Sequence, residues 1–314
     1  MNGLRSGYLV LILSILLAQG CGGNPETPGR PASATDDLGR TVQLPRTVER
    51  VVSLAPNLTE IVFAAGAGHK VVGVTTVDNY PSAVQALPRF GALPLDIEAI
   101  VALEPDLILA NDDINNPRDT ETFEAVGLPT FFFSFQGLDD VSRSIRAVGS
   151  LLGTAAHAEA AADSLEAAIA ALRARTGGVE TRPNTLFLIG DETLYAFGSE
   201  SYMHTLIELA GGRSTTGTLD TVRPVLSDEF VLTEKPDVIF GAFGASYDPA
   251  RLLAHHPTWD IVPAIQTGRV YSLDPDLVLR ATPRLLDAAQ LMARRLHPDL
   301  FEPAGTPAAL PETP

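Results

Sequence analysis

Two sets of short β-branched runs, each alternating with helical patterns, flank one long alanine-rich segment at 155–175, and this arrangement most constrains the fold. Parallel neighbours need a crossover, so short apolar strands separated by helices predict parallel sheet built from βα units. In the first half strands are expected at 51–54, 71–74, 107–110 and 130–133, with helices at 58–65, 97–103 and 120–126. In the second half strands are expected at 186–189, 238–240 and 270–272, with helices at 203–210 and 283–295. Within the alanine-rich segment Leu165, Ile169 and Leu172 form a stripe at i, i+4 and i+7. Thr154 is placed to cap its start, and Gly177-Gly178 ends it. About 22 residues at ~1.5 Å rise give roughly 33 Å, the width of a small domain. Such a helix predicts a stiff spacer between two α/β halves; the alternative is a helix packed inside one of them.

An internal echo supports two halves. Residues 98–110 read EAIVALEPDLILA and residues 229–241 read EFVLTEKPDVIFG. Each starts on Glu, reaches Pro-Asp seven residues later and continues into a strand. Proline ends the helical region and presets the turn, and the aspartate is expected to bond its own turn backbone. Chance recurrence of common βα grammar is the competing explanation.

The N-terminus adds a targeting signal. Arg5 precedes an apolar run at 8–18 broken only by Ser14, and Cys21 is the single cysteine. The run is too short for a bilayer, which takes ~20 residues, and has the layout of a secretory signal. The segment 22–35 is rich in Gly, Pro, Ser and Thr and reads as a flexible tether, and 302–314 reads as a disordered tail. The expected organisation is signal peptide 1–20, tether and lead-in 21–47, first lobe 48–150, spacer 151–178, second lobe 179–301 and tail 302–314. With Cys21 used as an anchor, no disulfide can form within the chain. A net charge of −16 argues against nucleic acid as a partner.

Catalytic motifs do not emerge. There is no G-x-S-x-G turn and no G-x-x-x-x-G-K-[ST] loop, and the six histidines are scattered without an H-x-x-x-H pair. No cofactor is expected.

The sequence 17–21, LAQGC, resembles the lipobox of bacterial lipoproteins, which implies lipidation of Cys21 and attachment to a membrane surface. The body, about 48–298, resembles the ABC-transporter solute-binding proteins for vitamin B12, iron-siderophores and haem, nearest to the vitamin B12 binders. The resemblance rests on RVVSLAPNLTEIVFAAGAGHKVVGVT, DNYP at 78–81, IEAIVALEPDLILA, RPVLSDEFVL at 223–232 and PDLVLRATPR at 275–284. It implies an α/β fold of two Rossmann-like lobes joined by one long rigid α-helix (the class III periplasmic-binding-protein fold), with ligand held between the lobes. It implies an exported, lipid-anchored protein that captures a cobalamin-type corrinoid or an iron chelate and delivers it to an ABC permease and ATPase complex.

Position by position, the resemblance puts Tyr80 and Tyr195 as aromatic walls from the first and second lobes, and Asp276 with Arg280 as a polar pair on the ligand's edge. Arg223 stands where the vitamin binders carry a tryptophan, Phe90 lies near another such position, and Trp259 falls outside the matching motifs. An arginine in place of an aromatic wall favours an anionic ligand, because guanidinium clamps carboxylate or catecholate oxygen. Glu98 and Glu229 match the glutamates, one per lobe, that dock on permease arginines. The bland alternatives are a turn cover for Tyr80, a surface helix pair for Asp276 and Arg280, a solvated Arg223, and helix-dipole compensation for the glutamates. A single connecting helix predicts little closure and a largely formed site. Haem binding through Tyr80, Tyr195, Tyr202 or His204 is a second hypothesis. An enzyme or surface lipoprotein without a transport role is a third.

Overall fold

The computed structural model describes residues 33–301, so the leader, Cys21 and the tail at 302–314 lie outside it. The chain runs through strands β1 (Ser33–Thr35), β2 (Thr41–Gln43), β3 (Val51–Ser53), β4 (Val71–Thr75), β5 (Arg89–Phe90), β6 (Leu107–Asn111) and β7 (Thr130–Phe133) in its first half. Helices α1 (Pro56–Ala64), α2 (Ile97–Ala102), α3 (Pro117–Ala125) and α4 (Asp139–Leu152) lie among and after them. Then come α5 (Ala155–Thr176), β8 (Asn184–Leu188), α6 (Tyr202–Leu209), β9 (Arg213–Ser214), α7 (Asp228–Glu234) and β10 (Val238–Gly241). The chain closes with α8 (Ala250–His255), α9 (Pro263–Gln266), β11 (Val270–Ser272), α10 (Pro275–Val278), α11 (Leu285–Leu296) and α12 (Pro298–Phe301).

Two all-parallel sheets result, ordered β5-β4-β3-β6-β7 and β11-β10-β8-β9. The strand order reverses between β3 and β6 in the first and between β8 and β10 in the second. These are the points where doubly wound sheets open a crevice beyond their carboxyl ends.

The echo extends to single backbone angles. Glu104 and Lys235 hold equivalent places, and both take φ 47°, the left-handed turn between helix and strand. The aspartates of the two Pro-Asp pairs do not bond their own turns as expected. Asp106 accepts from the backbone N–H of Glu49 and Arg50 at 2.8 and 2.9 Å, and Asp237 accepts from the N–H of Asn184 at 2.8 Å. Each carboxylate therefore ties the start of the following strand to the start of its central neighbour, β3 or β8.

Helix α5 is 22 residues long and buries a single stripe: Ala158, Ala162, Ile169, Leu172 and Thr176. Its first turns lie against α4, where a Cβ on Gly149 would stand 2.2 Å from that of Ala158, so only glycine permits this approach. Outside, Arg146 of α4 reaches Glu159, Asp163 and Glu166 of α5. The later turns of α5 pack on α6 and α11 of the second half. One apolar cluster runs from Leu58 and Val148 through Ala162 and Leu172 to Leu206 and Met292. Thr154 makes no side-chain cap; Gly153, at φ 76°, ends α4 and leads directly into α5.

The expected tether also needs correction at its end. Ser33–Thr35 pairs antiparallel with Thr41–Gln43, and the turn between them staples the edge strand β7. Asp37 N–H donates to Phe132 O at 3.1 Å, and the Asp37 carboxylate accepts from Ser134 N–H at 2.9 Å. An open strand edge is a template for unwanted pairing, and this turn blocks part of it. Among the described residues no helix is long and apolar enough to cross a membrane.

Candidate functional site

The carboxyl ends of both sheets supply the residues that meet between the lobes. From the first lobe comes the loop after β4. Asp78 organises it: buried, it accepts from Thr75 N–H at 3.0 Å and Thr75 Oγ1 at 2.5 Å. Burial pushes the Asp78 carboxyl above the ordinary aspartate range, against the opposing pull of Thr59, Thr75 and Arg280. Arg89 donates to the Asp78 carbonyl at 2.8 Å and holds the loop from behind. Asn79 and Tyr80 then project past the sheet.

From the second lobe comes α10 and the segment after it. Arg280 donates to Asn79 Oδ1 at 2.7 Å, to Val77 O at 3.3 Å and to Asp276 Oδ1 at 2.5 Å. Asn79 Nδ2 donates in turn to Asp276. Arg284 places its guanidinium 4.3 Å from the Tyr80 ring centre and grips Glu60 of α1 with two bonds, 2.7 and 2.5 Å long. The Glu60 side chain is 2 % exposed, and Arg280 adds a second positive charge at 3.8 Å. Sequence positions more than two hundred apart thus form one polar latch across the cleft.

Beneath the latch a crevice of ≈ 40 Å³ remains, lined by Asn57, Asn111 and Asp113 from the first lobe and Tyr202, Arg223 and Arg280 from the second. Its floor is fixed: Asn115 accepts from Asn111 N–H at 2.9 Å and donates to Leu54 O at 3.3 Å, tying the loop after β6 to the end of β3. Loss of water raises the Asp113 carboxyl, as does Asp112 beside it, while Arg223 opposes. Tyr202 is buried with its hydroxyl donating to Val278 O at 3.1 Å, and burial pushes its phenol well above the ordinary value. A roomier groove of ≈ 310 Å³ lies against Val42 and Leu128, but it belongs to the first lobe alone, and its Arg40 is spent on Asp36 and Glu124.

The structure brings together three of the six expected ligand residues, Tyr80, Asp276 and Arg280, and sets Arg223 on the crevice below them. Tyr195 is half exposed, its backbone bridges to Val225, and it is not among the residues that line the crevice. Phe90 is 2 % exposed and packs in the first-lobe core with Val52, Ile100 and Phe132, so it has no face for a ligand. Trp259 is fully buried and donates to Asp228 at 3.0 Å. Glu98 and Glu229 are exposed in the first turns of α2 and α7, the helices that precede β6 and β10. Sequence reasoning missed Glu60, Arg284, Asn79 and Asn57. A charged residue within the apolar run LTEIVFAA was the available signal for Glu60.

The expectation of a largely formed site does not hold. A crevice of ≈ 40 Å³ lies far below the ~300–1,000 Å³ range that serves drug-sized ligands, and a corrinoid is larger. Polar side chains occupy the mouth by bonding one another.

Residues 51–277 match the family model described as periplasmic binding protein. The chain is 27% identical over 315 residues to an uncharacterized ABC transporter substrate-binding lipoprotein of Bacillus subtilis (strain 168), covering 95% of this chain and 99% of that one. It superposes on the periplasmic vitamin B12 binding protein of Vibrio cholerae with a TM-score of 0.70 at 26% identity, over 81% of this chain and 99% of that one. It superposes on a periplasmic heme-binding protein from Roseiflexus sp. RS-1 with a TM-score of 0.71 at 28% identity, again over 81% and 99%.

Proposed function

As this chain belongs to the periplasmic binding protein family, whose members bind solutes rather than catalyse reactions, we propose that it captures a cobalamin-type corrinoid between its lobes and hands it to an ABC importer. The observation that carries this reading is the convergence of Tyr80, Asp276 and Arg280 from opposite lobes at the mouth of one cleft. An aromatic face suits a conjugated ring, and a carboxylate beside a guanidinium suits amide arms, which both donate and accept.

Capture needs the lobes to part. The exposed bonds of Asn79, Asp276 and Arg280 are exchanged for bonds to the ligand, while the deeper Glu60–Arg284 pair stays as the pivot. Exchange of one hydrogen bond for another changes the free energy little, so net affinity comes from the buried ring. Glu98 and Glu229, one on each lobe, dock on the permease as a two-point contact, which raises avidity without a new kind of bond. Lipidation of Cys21 holds the protein at the membrane where the permease sits, a reading supported by the lipoprotein among its relatives.

A second reading is an anionic tetrapyrrole or ferric siderophore. It is favoured by Arg223, which lines the crevice with no ion pair among the described residues. Native mass spectrometry with cobalamin, cobinamide, haem and several ferric siderophores tests both. A corrinoid retained at the lowest concentration, and lost in Arg280→Ala, supports the first reading; haem or a siderophore retained in preference refutes it.

A further inference from the structure

Asn57 stands out from every other polar side chain around the crevice. It is 1 % exposed, and among the described residues neither its Nδ2 nor its Oδ1 has a hydrogen-bond partner. Buried amides are normally satisfied, and one left idle lowers stability, so an idle pair needs a reason. The neighbouring amides supply the contrast. Asn111 accepts from Asp113 N–H at 2.9 Å, and Asn115 is engaged at both ends. Among the described residues at the crevice wall, Asn57 is the one amide with its donor and its acceptor both unspent.

Its position sharpens the point. Asn57 is in the first turn of α1, a nine-residue helix that springs from β3 beside the strand-order reversal. The residue before the helix is Ala55, which has no capping side chain; Pro56 brings no N–H; and the first turn carries no acidic residue. The positive end of the helix thus faces the same crevice without a carboxylate of its own. Arg223 and Arg280 stand opposite on the second lobe.

The chemistry of the missing partner follows from the pair of atoms. It must accept from Nδ2 and donate to Oδ1. A primary carboxamide does both at once, amide against amide. A carboxylate can meet Nδ2 only, and it sets a second bare oxygen against Oδ1. The crevice, ≈ 40 Å³, has room for the amide end of a side arm and not for a ring.

We propose that Asn57 is a specificity-determining residue that receives a carboxamide arm of the ligand in the crevice at the start of α1. This rests on the corrinoid reading above, and it explains how the cleft would prefer a ring with amide arms over one with carboxylate arms. Asn57 pairs with both atoms of the arm's amide, and the preference rests on that pairing, because the N-terminal end of α1 and Arg223 attract the oxygen of either arm.

Calorimetry on the mature protein, with cobinamide and with cobyrinic acid, the same ring bearing carboxylates, tests it. The wild type is expected to bind cobinamide at least about tenfold tighter than cobyrinic acid, and Asn57→Leu to lose most of that margin by weakening cobinamide. Leucine has similar volume and no idle polar atoms, so the ligand-free variant is expected to melt no lower than wild type. A purely structural role for Asn57 predicts the reverse, a lower melting point with unchanged affinity. Asn57→Asp, which loses the donor but keeps the shape, is expected to weaken cobinamide as well, and it is read alone if Asn57→Leu fails to fold. Unchanged cobinamide affinity in the folded variant overturns the inference and leaves water as the partner of Asn57. Equal wild-type affinity for the two rings overturns it while the corrinoid reading stands. A wild type that binds neither ring overturns the corrinoid reading and the inference with it.

Discussion

Arg284→Ala removes the main partner of a deeply buried charge in the cleft. Glu60 is 2 % exposed at its side chain and takes two bonds from Arg284, at 2.7 and 2.5 Å. Breaking a buried pair by deleting one partner costs ~3–5 kcal/mol, because the remaining charge is stranded. Here Arg280, at 3.8 Å from Glu60, offsets part of that loss, which brings the expected cost to about 2–3 kcal/mol. At roughly 2–3 °C per kcal/mol for a chain of this size, the melting temperature falls by about 4–9 °C. The assay is thermal unfolding of ligand-free protein followed by far-UV circular dichroism, in matched buffer at pH 7. The diagnostic control is Glu60→Gln added to Arg284→Ala. With no charge left to strand, the double variant recovers about half of the loss. A single variant that melts within ~1 °C of wild type, or a double variant less stable than the single one, would refute the reasoning.

Two further outcomes are expected. Glu98→Ala with Glu229→Ala leaves ligand affinity unchanged and abolishes uptake in a reconstituted importer, each single change giving a partial loss; a matching drop in affinity would place these glutamates in the binding site instead. Asp140→Asn lowers stability by about 1 kcal/mol at pH 7. Burial disfavours the Asp140 carboxylate, but the N–H groups of Gln136 and Gly137 and the Arg143 guanidinium prevail and hold it below the ordinary aspartate value of 3.8. A depressed folded value gives stability that is present above the ordinary value and is lost as pH falls through the folded one. The gap between variant and wild type in acid denaturation therefore closes as pH drops below about 3.8; a constant gap down to the acid limit counts against it.

What could be read from sequence was whatever local physics dictates. The strand at 130–133 and the helix at 97–103 fell within a residue of the observed Thr130–Phe133 and Ile97–Ala102, because apolar runs and turn residues bound them. The echo of 98–110 in 229–241 held down to the shared left-handed turn at Glu104 and Lys235. Helix α4 was not read from the sequence: three serines and Gly149 lower its intrinsic helix preference, although Val141, Ile145, Val148 and Leu152 recur at helical spacing, and it is their burial that holds it. Phe90 misled because likeness to a neighbouring position says nothing about which way a strand residue faces; in β5 it is Arg89 that turns outward. Glu60 and Arg284 are 224 positions apart, and no periodicity links them. Part of the site was visible one residue at a time, but the latch was not, because it exists only where two halves meet.

The docking of α5 on both lobes has a bearing on how the protein can be dissected. A fragment cut before Ala155 would leave Gly149 and Leu152 without the helix that covers them, and one begun after Gly177 would bare the flank of Leu206 and Met292. Each half has a smaller apolar cluster of its own, but the largest one is shared between the halves through α5. Attempts to produce a lobe by itself are expected to yield aggregating material unless the whole of 155–176 is retained, so the smallest unit of folding is larger than the smallest unit of pattern.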